Sequence, residues 1–549
     1  MKQFKFYISL LISSFLLSFH SLIAQNPNRF EIPVKSSDAA IFNIPLGEKG
    51  LLILTQTSKT DFEIAKLDVD FHQNWTIAGN IDANFDYVTH SFDGQFVHLL
   101  FSRFKSNAYA VFRINLLNGK FEKYQIYSVD RMEISNFKVL NKSVFIGGII
   151  NSMPMVLFTN LEKRSTRILP SVVKGQSEIQ AMDIDTLQKL INITYASGNK
   201  SKNYQLIVRS FDEEGNQYNQ IIMEPNEEYA MMNAKSTQIN DSLQVVVGTY
   251  GHKNSIGSNK GPTSQGIYFS SFMDGNLQHS KFYSFTKFKN FFNFLGDKQK
   301  EKQEKKIKNK EEKGEDLRLD YRLIVHDVIK DGNYYYAIAE SFYADYKYAN
   351  SAFNPYGTLY GGYTIPGFAL NPYSFYSPWS SLYNPFRWGY GYYGLYSPFS
   401  SYYSPWGYRG YGYYGNQQQF DGWVYTHAII VAFDGDGNLM WDKSIDLNNS
   451  KEDKLTEKVK ATISGDFLIL SYTSNDQIIS KVITLDGALE KEETKTINVL
   501  SEGDKVKKTS KTQLNYWYGN YFLANGFQTI SNEEEGKRSV FYLNKIDIK

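Results

Sequence analysis

Val431-Ala-Phe-Asp434-Gly-Asp-Gly437-Asn-Leu-Met-Trp441 reads as the end of one strand, a tight turn and the start of the next. Apolar residues lead in, Asp434 can cap the backbone of its own turn, and Gly437 can take the positive φ that a tight hairpin demands. The same phrase recurs along the chain. Ile64-Ala-Lys-Leu-Asp68-Val-Asp-Phe-His-Gln-Asn-Trp75 is one copy and Val208-Arg-Ser-Phe-Asp212-Glu-Glu-Gly215-Asn another. Ser271-Phe-Met-Asp274-Gly275 and Val482-Ile-Thr-Leu-Asp486-Gly487 follow. Each copy joins the third and fourth strands of a group of four. Asp434 and Asp486 lie 52 residues apart with nothing inserted between them. Four strands at a period near 40–50 residues predict a β-propeller.

The apolar-Asp-x-x-Gly-Asn-x-x-Trp hairpin resembles that of bacterial β-propeller repeat proteins. The copies ending at Trp75 and Trp441 resemble it best, although Phe71 and His72 stand where glycine is usual in the first. The resemblance concerns fold, because propellers carry many unrelated functions. Strand runs place seven groups at residues 39–81, 86–128, 133–170, 178–223, 230–285, 321–447 and 458–499. The last group, 508–549, shows three strands, and the leftover strand 29–34 supplies its fourth. Closing the ring from the opposite end of the chain removes an exposed edge. The expectation is all-β, a propeller of eight four-stranded blades. Seven is the alternative if the weak 133–170 group is misread. An outer-membrane barrel competes, but a strand through 63–68 carries Glu63 on one face and Lys66 and Asp68 on the other, unlike a lipid-facing strand.

Residues 1–24 have the pattern of a cleaved secretory signal: Lys2 and Lys5, an apolar run over 7–19, and small residues before Gln25. The expected mature chain, 25–549, is a single domain in the periplasm. With no cysteine in the sequence, neither disulfides nor a lipid-modified N-terminal cysteine is available. A formal charge of +2 supplies no global electrostatic case for nucleic acid.

Two stretches interrupt the strand pattern. Residues 345–420 contain an aromatic-Ser/Asn-Pro-aromatic phrase five times, at 353–356, 376–379, 383–386, 396–399 and 403–406, and hold seven of the 14 prolines. Proline at that density forbids a helix interior or a central strand, and rings in that number are normally buried in a core or an interface. Tyr376, Trp379, Tyr383, Phe386, Trp388, Tyr396, Phe399, Tyr403 and Trp406 are the expected partner-binding residues. In residues 288–318, Phe288, Phe291, Phe292 and Leu295 fall at the spacing of a short helix face. A lysine- and glutamate-rich run from 298 to 313 follows, a solvated helix or a disordered run; it reads as a tethered flexible loop or, more sharply, as an electrostatic contact with an anionic membrane surface or acidic partner. The first stretch falls between strands B and C of blade 6, and the second between blades 5 and 6. A third long loop, 251–266, joins B to C in blade 5. In an A-B-C-D blade all three emerge on one face, so that face is expected to carry function.

No catalytic or nucleotide-binding motif is present. The mature histidines, His72, His90, His98, His252, His279, His326 and His427, show no metal-like spacing. His90 and His326 fall on innermost strands, where ordinary hydrogen-bonded roles are the simpler reading. Asp434-Gly-Asp436-Gly-Asn438 resembles the start of a calcium loop but lacks its glycine and terminal glutamate, and a hairpin explains it better. The expectation is a non-catalytic interaction subunit without cofactor or metal, docking through the aromatic stretch onto an outer-membrane complex such as a protein-export channel. A glycan-binding or carbohydrate-active propeller is the alternative, and self-association through the aromatic stretch a third reading.

Overall fold

The computed structural model describes residues 28–37, 39–103, 106–151, 153–170, 177–185, 188–197, 205–253, 263–319, 321–348, 418–452, 457–474, 477–501, 503–533 and 536–548. They form eight antiparallel sheets arranged as a β-propeller. Blades 1 to 7 span 41–80, 85–127, 133–168, 177–223, 229–284, 323–452 and 460–496. Blade 8 combines 505–547 with Arg29–Pro33, which pairs antiparallel to the C strand with Arg29 opposite Asn544 and Pro33 opposite Val540. The group at 133–168 is a complete four-stranded sheet, which rules out seven blades.

The repeated Asp turns work as local capping predicts. In blade 6, the Asp434 carboxylate accepts the backbone N–H of Asp436 at 3.0 Å and of Asn438 at 2.7 Å. Asp212 in blade 4 does the same for Glu214 and Asn216, and Asp68 in blade 1 for Asp70 and His72. No ion is needed to explain these carboxylates. Gly437 sits at φ 75°, and a Cβ there would fall 2.2 Å from the Phe269 ring of blade 5. The glycine is therefore also an interblade contact. Phe71 holds the equivalent left-handed position, at φ 65°, and stacks its ring on Trp517 of blade 8 with centroids 5.7 Å apart.

Tryptophans complete the wedge packing. The indole N–H of Trp75 donates to Leu116 O of blade 2 at 3.1 Å, Trp441 to Leu485 O of blade 7 at 2.9 Å, and Trp517 to Gly50 O of blade 1 at 2.9 Å. Each buries a large apolar surface while satisfying its donor.

The innermost strands bend at one recurrent place. The register slips at Val88, Ser135, Gln180 and His326 in blades 2, 3, 4 and 6, and blade 5 breaks its strand between Met231 and Lys235. A bulge re-aims a side chain out of the alternating pattern, and here it aims some of them at the next blade. Gln180 donates to Met232 O at 2.9 Å, and Asn233, in the break, donates to Val325 O at 2.8 Å. These bonds staple blade 4 to 5 and blade 5 to 6.

Candidate functional site

The excursion between blades 5 and 6 is built inward. Ser284 caps a 3₁₀ turn at Phe285–Lys287, and a second turn follows at Phe291–Phe294. Phe285, Phe288, Phe291, Phe292, Phe294 and Leu295 are all buried in one cluster with the strands of blades 5 and 6. Each such side chain stabilises by roughly 2–3 kcal/mol, against about 1–2 kcal/mol for fixing one residue's backbone. With six of eleven residues buried in this way, the segment is a fixed pedestal rather than a flexible tether.

The expected helix face through Phe288, Phe291, Phe292 and Leu295 is therefore replaced by two tight turns. A single α-helix would bury those four and turn Phe294 outward. Phe294 instead lies flat on His427, with centroids 3.6 Å apart and planes at 5°. Phe291 and Tyr321 stand perpendicular to the same imidazole, with centroids at 5.4 and 5.2 Å. His427 lies on the C strand of blade 6, Gln418–Phe433. Its Nδ1 meets Thr426 Oγ1 at 2.9 Å, and burial pushes its pKa down to about 3.

Asp442, on the D strand of blade 6, holds the pedestal from beneath. Its carboxylate accepts the backbone N–H of Lys289 at 3.1 Å and of Asn290 at 2.7 Å, while Asn290 Nδ2 donates to Asp442 O at 2.8 Å. Burial raises the Asp442 pKa, and the two amides pull against that shift. Asp442→Ala should cost about 2–3 kcal/mol. Hydrogen exchange should accelerate across 285–295 and leave the other blades unchanged. Unaltered exchange there would mean the phenylalanines alone hold the pedestal.

After Gly296 the chain forms an α-helix, Asp297–Glu311, in which Ile307 is the buried residue. The charged run is thus a helix seated on the molecule.

Beside the pedestal rises a stalk. The B, C and D strands of blade 6 run for 15, 16 and 14 residues, whereas the B strand of blade 2, Phe96–Arg103, has 8. Pairing with the A strand ends at Leu323 opposite Ser341. The B–C ladder continues to Tyr348 opposite Gln418, a further rise of about 20 Å. Asp345 and Lys451 form an ion pair at 2.7 Å across the stalk, and Phe342 packs edge-on to Trp423 with centroids 6.0 Å apart. The third long connection meets the same neighbourhood: Ser264 Oγ donates to Leu323 O at 2.9 Å, and Gln265 Nε2 donates to Leu319 O at 2.9 Å. All three excursions leave one face, as the strand count predicts. Tyr376, Trp379, Tyr383, Phe386, Trp388, Tyr396, Phe399, Tyr403 and Trp406 lie outside the described residues.

The inner strands carry a second polar constellation. Lys138, Asp183, Lys235, Asp327 and Lys460 come from blades 3, 4, 5, 6 and 7 in turn, so the sign of charge alternates around the ring. Lys235 pairs with Asp183 at 3.2 Å, and Lys460 with Glu457 at 2.9 Å. Burial alone would raise Glu457, but Lys460, His326 and Lys235 outweigh it and hold its pKa at about 2. Burial raises Asp327. Glu340 is fully buried and accepts the backbone N–H of Val459 at 2.6 Å and of Lys458 at 2.9 Å, tying blade 6 to blade 7. His326 Nε2 lies 3.1 Å from the same carboxylate. Burial opposes charge on His326, but Glu340 more than compensates and raises its pKa. His90 meets Tyr87 OH at 2.9 Å. Both histidines thus have ordinary structural partners. Among the described residues, no three His, Asp or Glu side chains converge as a metal ion requires.

Sequence reading missed His427, Asp442 and Glu340. The contacts that define them, Phe294 for His427, Lys289 and Asn290 for Asp442, and Lys458 and Val459 for Glu340, lie more than 100 residues away in the chain, and the one available signal was a charge or imidazole at a strand position.

No family model matches this sequence, and no curated protein matches it. Among solved structures, the polysaccharide lyase Uly1 aligns at 8% identity over 86% of this chain and 91% of its own, with a TM-score of 0.38. The β-propeller domain of the Trilobed protease from Pyrococcus furiosus aligns at 8% identity over 85% of this chain and 98% of its own, with a TM-score of 0.32. Oligopeptidase B from Leishmania major aligns at 6% identity, with a TM-score of 0.38, over 90% of this chain and 54% of its own length.

Proposed function

We propose that the protein is a non-catalytic, exported β-propeller of the bacterial envelope that presents residues 345–420 to a protein partner. The reading places it in the periplasm, on an outer-membrane complex such as the mouth of a protein-export channel. The observation that carries it is the stalk. Three strands of blade 6 overrun the blade by several residues, braced by the Asp345–Lys451 ion pair and flanked by the phenylalanine pedestal. The first pairs beyond the A strand still pack, with Phe342, Trp423 and Tyr425 buried in the core shared with blade 7, but the strands run on past them to Tyr348 and Gln418. Their effect is to hold the two ends of the aromatic stretch at a fixed place above one face. Proline restricts the conformations open to a chain and aromatic rings have few rotatable bonds, so a stretch of this composition loses little entropy when a partner covers it.

The test is co-purification from detergent-solubilised envelope. One bait is the full chain, and the other has residues 349–417 replaced by a short Gly/Ser linker between Tyr348 and Gln418. The shortened protein should keep its thermal unfolding profile and lose the partner. Equal recovery of every partner by both baits would overturn the proposal.

A further inference from the structure

We infer that the helix Asp297–Glu311 is an electrostatic docking ridge for a membrane surface bearing anionic phospholipid headgroups. The helix turns one stripe inward: Ile307 is buried, and Lys300, Gln303 and Lys310 are partly covered. Its other faces carry Lys298, Lys302, Lys305, Lys306 and Lys308, all exposed. None of these five forms an ion pair among the described residues, whereas Lys300 pairs with Glu304 and Lys310 with Glu315. Asp297 occupies the first turn, where it suits the helix dipole. Glu301 and Glu311 are the helix's remaining acids, and Glu312 and Asp316 follow it. The helix itself therefore holds seven lysines against four carboxylates, a local excess in a chain of nearly balanced charge.

The pedestal makes this excess usable. A disordered lysine run would lose entropy on docking, but this one is already anchored by Ile307 and by the phenylalanines ahead of it. The composition of the ridge selects the class of surface. Protein interfaces draw their energy from Trp, Tyr and Arg in packed pockets, and lysine is depleted from them. Here every phenylalanine of the excursion, Leu295 and Ile307 face inward, so a protein partner would find no apolar anchor on this helix. Lysine is a hydrated point charge suited to phosphate oxygens without bidentate geometry. A row of such charges matches a sheet of repeated headgroups, to which each contributes additively within a Debye length. The inference is independent of the aromatic-docking proposal.

The full-length protein would be sedimented with vesicles of phosphatidylcholine containing about 30% phosphatidylglycerol, and with phosphatidylcholine alone. It should bind the anionic vesicles, lose that binding as salt rises from about 50 to about 300 mM, and ignore the neutral ones. Glutamine at Lys298, Lys302, Lys305, Lys306 and Lys308 together should weaken binding at least about tenfold, while arginine at the same positions should preserve it. The chain lacking 349–417 should bind vesicles as the full chain does. Equal binding by the glutamine variant, or no binding by the wild type, would overturn the inference. So would competition by soluble poly-glutamate as effective as that by anionic vesicles, which would point to an acidic protein instead.

Discussion

Arg29→Ala should lower the unfolding free energy by about 3–5 kcal/mol, the cost of removing one member of a buried charge network. Arg29 lies on the strand that closes the ring, and its side chain is completely covered. Its guanidinium bonds Glu31 at 2.6 Å, Asn544 Oδ1 at 3.0 Å and Gln528 Oε1 at 2.9 Å. It also donates to Asn498 O, near the start of the connection from blade 7 to blade 8, and lies over the Tyr542 ring at 5.0 Å. Truncation leaves several of these acceptors buried without a donor. It also loosens the strand, whose departure would expose the C-strand edge of blade 8. Lysine restores the charge but not the planar fork, so Arg29→Lys should recover the smaller part of the loss. Arg538 is a fair comparison. It reaches Asp504 at 2.5 Å and Glu31 at 3.4 Å from a side chain 22% exposed, but both carboxylates are covered, so Arg538→Ala should cost about 2 kcal/mol, less than the loss at fully covered Arg29. Urea unfolding of the three variants decides the matter. A loss below about 1 kcal/mol for Arg29→Ala would mean that the ring is closed by packing alone.

This closure was legible in the sequence because it follows from counting: one strand was missing at the end and one was spare at the start. The blades were legible for a related reason. Period-two alternation and Asp-Gly turns are local signals, and Asp434 or Asp212 can cap its hairpin with no information from elsewhere. The shared face of the three excursions followed from strand order alone. What escaped was set by distant contacts. The spacing of Phe288, Phe291, Phe292 and Leu295 is a helix pattern, and it was overridden because Phe294 has an imidazole to stack on. That imidazole, His427, lies 133 residues later. The length of the stalk was hidden because Tyr334–Tyr348 is continuous strand-forming sequence with no turn signal to mark where the blade ends and the stalk begins. Alternating charge on five inner strands is invisible until the strands are placed side by side.

Between about pH 6.5 and about pH 4, stability should fall steeply, because the fold keeps neutral three imidazoles that the unfolded chain protonates. Burial holds His427 down to about 3. For His98 burial dominates and Asp93 only partly offsets it, leaving about 4. Both side chains are fully covered. In this window each unfolded imidazole carries one more proton than its folded counterpart. Stability is therefore present above the unfolded pKa and is lost as pH falls, by about 1.4 kcal/mol per pH unit for each group, or close to 3 for His427 and His98 before His90 is added. His90, held at about 4 by burial and by nearby Lys138, acts in the same direction. His326 behaves oppositely: its pKa is raised, so its contribution is complete below the ordinary imidazole range and is lost only as pH rises through the folded value. It adds no acid sensitivity. Asp327 and Asp442, both raised by burial, take up protons in the fold first and soften the fall near the carboxylate range. Glu457 steepens it again lower down, where the unfolded carboxyl is protonated and the folded one is not. Replacing His427 with phenylalanine keeps a flat ring against Phe294 and removes the titration. Urea unfolding across this range should show a slope shallower by about 1.4 kcal/mol per pH unit in that variant. Identical slopes in the two proteins would show that His427 is already protonated in its aromatic box, and that the pedestal does not depend on a neutral imidazole.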